Sequence, residues 1–194
     1  MRVFIAVLVL IFSFQSWTKA DDIRDFQIEG MSIGDSLLDY YSEEDINNNK
    51  YYAYRLKEYY QTYFILPNSD EYTQIQFNIK DGDDDFIIAS LEGVIHPITF
   101  SKCKKKKKII EKEIVATLPN LKVIYGEEKP MYNEPATKTI TTNFLFNKTF
   151  LDGGAIRILC VDRSKKIEEE KGWVDTLRVV INSKEFNIFI DKNR

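Results

Sequence analysis

Few side chains in this chain are placed to do chemistry. His96 is its sole histidine and precedes Pro97 at the end of an expected strand. A Ser-His-Asp arrangement would have to use it, and no GxSxG elbow is present. His96 is therefore read as structural. Zinc sites draw on several His or Cys ligands, but the only cysteines are Cys103 and Cys160. An even pair in an oxidising compartment predicts a disulfide between them. Asp81-Gly82-Asp83-Asp84-Asp85 gathers hard oxygen ligands of the kind calcium uses, yet its spacing is taken to match no calcium loop and to lack the closing glutamate twelve positions on, and it is read as a solvated hairpin turn. No catalytic residue, metal site or cofactor is expected.

Two further clusters could bind rather than react. Residues 104–108 are five consecutive lysines. On a helix such a run wraps around the axis instead of forming one stripe, so it is read as a solvated helix start. Tyrosine is the less ordinary feature. Nine of 11 tyrosines fall between residues 40 and 72, among them Tyr51, Tyr52, Tyr54, Tyr59, Tyr60 and Tyr63. Strand propensity accounts for such a cluster. Equally, tyrosine supplies rigid amphipathic area that suits an interface, and these six residues are the candidate binding face.

The elements that must position these residues follow from periodicity. Ser32 or Asp35 can cap a short helix carrying Ile33, Leu37, Leu38 and Tyr41, and Ser42-Glu43-Glu44-Asp45 reads as a capping box. Strands are expected over residues 51–56 and 59–66. Residues 72–80 alternate cleanly, with Ile75, Phe77 and Ile79 on one face and Gln74, Gln76 and Asn78 on the other. Residues 86–95 return as the next strand. Residues 101–118 form the best helix candidate, with Cys103, Ile110, Ile114 and Leu118 near one stripe. A short strand over 121–125 and a loop over 126–137 lead into a second meander. Its segments alternate through Ile140, Phe144, Ile156, Ile158, Cys160, Leu177, Val179 and Ile181. Residues 162–172 read as a charged connection, and Ser183 caps a last helix bearing Phe186 and Ile190. The class is α+β, antiparallel meanders with helices packed on one face, in the order of a doubled helix-plus-meander unit.

An address precedes the fold. Residues 1–20 carry a minimal basic start, a twelve-residue apolar run over 3–14, and Thr18-Lys19-Ala20 as a cleavage site. That is the pattern of a signal peptide, and the run is too short to span a bilayer. The expected mature chain, residues 21–194, is a single domain with no transmembrane segment. Without Arg2 and Lys19 it keeps 25 basic against 30 acidic residues, a net charge near −5. An acidic exported protein is not a general nucleic-acid binder.

Three segments carry a resemblance: DFQIEGMSIGDSLLDYYSEEDI over 25–46, LEGVIH over 91–96 before the basic helix led by Cys103, and DTLRVVINSKEFNIFI over 175–190. Together they resemble an uncharacterised family of small exported proteins of marine alphaproteobacteria. The resemblance implies export and a shared fold and transfers no catalytic residue. The lysine run and the EEEK connection depart from it. The opening IEGMSIGDS, residues 28–36, is also similar to the two-helix, three-strand modules of outer-membrane assembly lipoproteins and β-lactamase-inhibitor proteins. Without the lipid-attachment cysteine, that similarity concerns the fold alone.

The function expected is a non-enzymatic binding or interaction module, periplasmic or secreted, that meets a protein or envelope component through its tyrosines. A small-ligand carrier with a pocket between helices and sheet is the alternative, and a hydrolase using only carboxylates is a third.

Overall fold

A computed structural model describes residues 22–131 and 134–193. The expected leader, residues 1–20, lies outside them. Eight strands make one antiparallel sheet. They are β1 (Tyr59–Ile65), β2 (Gln74–Lys80), β3 (Ile88–Ile95), β4 (Lys122–Tyr125), β5 (Lys129–Met131), β6 (Glu134–Leu145), β7 (Ala155–Asp162) and β8 (Thr176–Asn182). The order is β1-β2-β3-β8-β7-β6-β4, with β5 also on β6. The two meanders thus join through their last strands, Leu91 opposite Ile181 and Gly93 opposite Val179. Four α-helices accompany the sheet: α1 (Glu43–Asn48), α2 (Phe100–Thr117), α3 (Lys165–Lys171) and α4 (Lys184–Lys192). The α+β class is as expected.

One sheet face holds the main core. Phe77, Leu91, Val179, Ile158 and Phe144 are fully buried there, one from each of five strands. Alternation places them on a common side. The N-terminal segment brings Ile28, Met31, Ile33 and Leu37 to this core, and α2 brings Cys103 and Ile114. Cys103 and Cys160 close a disulfide with Cα atoms 5.9 Å apart, tying α2 to β7.

The opposite face is covered at one end. Asn182 alternates with Ile181, so its side chain leaves the main core. It accepts from Ser90 Oγ at 2.7 Å and donates to Asn187 Oδ1 of α4 at 3.1 Å. Phe186 and Phe189 of α4 pack there against Tyr59, Tyr54 and Leu56.

Capping explains the short helices. Ser42, Ser164 and Ser183 each accept a backbone N–H of the first turn. Where local reading and fold differ, tertiary partners decide. Residues 51–56 form no strand beyond a single bridge, Tyr51 with Gln61. The segment crosses the second face instead, where the Tyr54 hydroxyl donates to Asn78 Oδ1 and accepts from Gln61 Nε2. Leu56 N–H meets Asn193 Oδ1 at 2.9 Å. The supposed loop over 126–137 contains β5 and the start of β6. The charged connection contains α3, closed by Gly172 at φ 67°.

Candidate functional site

Beyond the reach of α4, the second face stays open. The ladder sets Tyr63 beside Gln76 and Gln76 beside Glu92. One row further lie Gln74, Val94 and Arg178. Glu92 and Arg178 are thus diagonal neighbours on adjacent strands. Arg178 grips Glu92 side-on. Its Nη2 donates to Oε2 at 2.7 Å and its Nε to Oε1. Glu92 is 5% exposed. The adjacent carboxylate holds the Arg178 guanidinium above its ordinary pKa. Pairing of this kind is what permits two charges on a largely dehydrated floor.

Over this floor opens a cleft of about 420 Å³, bounded by Tyr51, Gln74, Gln76, His96, Arg163, Trp173 and Thr176. Tyr51 and Tyr63 meet edge to face, ring centres 6.2 Å apart. Burial first, and then the Glu92 charge, push the Tyr51 phenol up in pKa. On the far side the Trp173 ring lies 5.2 Å from the Arg163 guanidinium and 4.5 Å from Lys171 Nζ, distances at which cation and ring attract. Arg163 reaches Glu134 Oε2 at 3.5 Å, while Lys171 reaches its Oε1 at 3.8 Å. Burial pushes the Arg163 guanidinium down in pKa. Two buried side-chain atoms at this wall, Arg163 Nε and Thr176 Oγ1, have no hydrogen-bond partner among the described residues.

The six tyrosines singled out from sequence are dispersed. Tyr51 lines the cleft and Tyr63 packs against it from outside, 38% and 39% exposed. Tyr59 is buried against α4 with Tyr54 beside it, Tyr60 is buried in the main core, and Tyr52 bonds Asp81 from the first meander's turn. Arg163, Trp173, Thr176 and the Glu92–Arg178 pair escaped the sequence reading. Arg178 left one signal, a charge among the alternating residues of β8.

The other clusters resolve differently. Among the described residues no three His, Cys, Asp or Glu gather as a metal would require. Counted from Asp81, Glu92 does fall twelfth, where a calcium loop places its closing glutamate, so the expectation that this glutamate is missing is corrected. Phe86 replaces the sixth-position glycine, and Glu92 is committed to Arg178. Asp81 instead accepts from Lys50 at 2.7 Å and Tyr52 at 2.8 Å. The lysine run is not wholly solvated. Lys107 is buried under α2, bonded to Glu111 and Thr142. No described helix is long and apolar enough to cross a membrane.

No family model, curated protein or solved structure matches this chain.

Proposed function

We propose that this protein is an exported, non-enzymatic binding module whose partner docks over the cleft of the second sheet face. The observation that carries the reading is the set of exposed aromatics, Trp173 on one side and Tyr51 backed by Tyr63 on the other, beside a polar floor fixed by the Glu92–Arg178 pair. Rigid amphipathic rings around a preorganised polar centre are the makings of a protein interface. The disulfide supports export, since such bonds persist in oxidising compartments. The cleft's volume also suits a small ligand, which keeps the carrier reading as the second one.

Cross-linking capture tests this. The bait is residues 21–194, disulfide intact, against the envelope fraction of a cell that makes the protein. One protein recovered in stoichiometric amount is expected. Tyr51→Ala with Tyr63→Ala, or Trp173→Ala, should lower recovery at least tenfold, and Tyr125→Ala, on the remote strand β4, should leave it unchanged. Recovery indifferent to all three aromatic changes would sink the reading.

A further inference from the structure

We infer that the cleft recognises a carboxylate, presented on a polypeptide partner as an acidic side chain or a chain end. The inference rests on the binding-module reading and names the chemistry at its centre.

Unmet hydrogen bonds mark one wall of the cleft. Buried polar atoms in folded proteins nearly always have partners, and each exception calls for an explanation. Among the described residues three buried side-chain atoms lack one, and two of them, Arg163 Nε and Thr176 Oγ1, belong to residues lining this cleft. Their proximity follows from register. Val161 pairs with Thr176, and Arg163 is two residues beyond Val161. An N–H can only donate and a hydroxyl can donate, so a ligand that meets these two atoms offers lone pairs.

Charge narrows the group further. The Arg163 guanidinium meets Glu134 Oε2 at 3.5 Å, Met131 Sδ at 4.0 Å and the face of the Trp173 ring, and its one carboxylate contact is shared with Lys171. Arg178 adds a second guanidinium whose Nη1 stands outside the bond pair to Glu92. Glu92, the carboxylate of the floor, is taken by Arg178, and no Asp or Glu borders the cleft above it. Asp175 sits nearby but its Oδ1 takes the Arg163 backbone N–H at 2.7 Å. A planar group with two acceptor oxygens and one negative charge matches an arginine fork with a hydroxyl beside it. The aromatic rim favours a group carried on a polypeptide. Tyr51 on one side and Trp173 on the other give flanking residues apolar surface to cover.

The test uses three probes with the intact protein: the end-blocked peptide Gly-Tyr-Glu-Asp-Gly, its Gln/Asn counterpart, and free glutarate. The readouts are the NMR resonance of the Arg163 Nε–H and affinity by calorimetry. The acidic peptide is expected to move that resonance downfield and to bind at least tenfold more tightly than the amide peptide. Arg163→Lys keeps the charge but loses the fork, and should weaken binding about tenfold. Thr176→Val should weaken it severalfold, while Thr176→Ser should bind as the parent does. Near-ultraviolet dichroism checks that each variant is folded. Equal binding of glutarate and the acidic peptide would overturn the polypeptide part. Equal binding of the acidic and amide peptides, or of none, would overturn the carboxylate. Should the captured partner still depend on Tyr51 and Tyr63 while ignoring Arg163→Lys and Thr176→Val, the carboxylate falls and the binding module stands.

Discussion

Lys107 shows how a single residue's surroundings override its type. It stands one turn after Cys103 and one turn before Glu111 on α2, and both charged side chains are buried with Thr142 beneath them. The helix was legible through a stripe of Cys103, Ile110, Ile114 and Leu118, whereas the side it buries also runs through Lys107 and Glu111. These two charged members were not legible, because their partner Thr142 lies 35 and 31 residues away in the chain. Removing one partner strands the other, so Glu111→Leu should cost about 3–5 kcal/mol. Lys107→Met, Glu111→Leu and Thr142→Val together remove every polar atom of the cluster and should come within about 1 kcal/mol of the parent. Urea midpoints check this, and a triple variant as unstable as the single would refute it. The buried tyrosines make a second prediction. Desolvation pushes the phenols of Tyr54 and Tyr60 up to about 12. Their unfolded counterparts ionise near 10, so folding favours the protonated form. The stability this confers is complete below pH of about 10 and is lost as pH rises through about 12. Urea midpoints between pH 9 and 12 should fall, and phenolate absorbance of the folded protein should lag that of the denatured chain.

At the scale of elements, caps and alternation were the readable signals. Ser42 and Ser183 start their helices as expected, and Ile75, Phe77 and Ile79 line the core side of β2. Ser164 and Gly172 bracket α3 with the same cap chemistry, obscured by the charge density between them. Residues 51–56 misled for the opposite reason. Their propensity suits a strand, but hydrogen bonds to Asn78, Gln61 and Asn193 draw the segment over the sheet. That displacement sets Tyr51 at the cleft. Gly93 illustrates packing that only the assembled elements reveal. A Cβ at this position of β3 would lie 2.5 Å from the Tyr72 ring, which itself is largely buried. Gly93→Ala should therefore cost about 1–3 kcal/mol as overpacking. Adding Tyr72→Leu should cost less than the sum of the two single changes, because the clash is gone. Strict additivity in the double-mutant cycle would show that the ring does not enforce the glycine.

Across the whole molecule, each meander could be anticipated but not their union. The sequence left open whether there were one sheet or two, since nothing local says that β3 should take β8 as its neighbour. Six residue pairs make that seam, Ser90 with Asn182 through Ile95 with Leu177. Glu92 and Arg178 lie across it, so the candidate site exists only because the halves join. The disulfide, by contrast, lies wholly in the second half, between α2 and β7. Its loop of 57 residues should contribute about 4 kcal/mol in the chain-entropy account. Cys103→Ser with Cys160→Ser should lower stability by that amount in urea. The sheet and the main core run unbroken through the seam, so the variant should still unfold in one transition when followed by tryptophan fluorescence and by far-ultraviolet dichroism. Trp173, the one tryptophan among the described residues, reports from the second half, whereas dichroism reports from both halves. Divergent midpoints from the two probes would mean that the first meander stands without the second, and that the β3–β8 seam is a contact between two folding units.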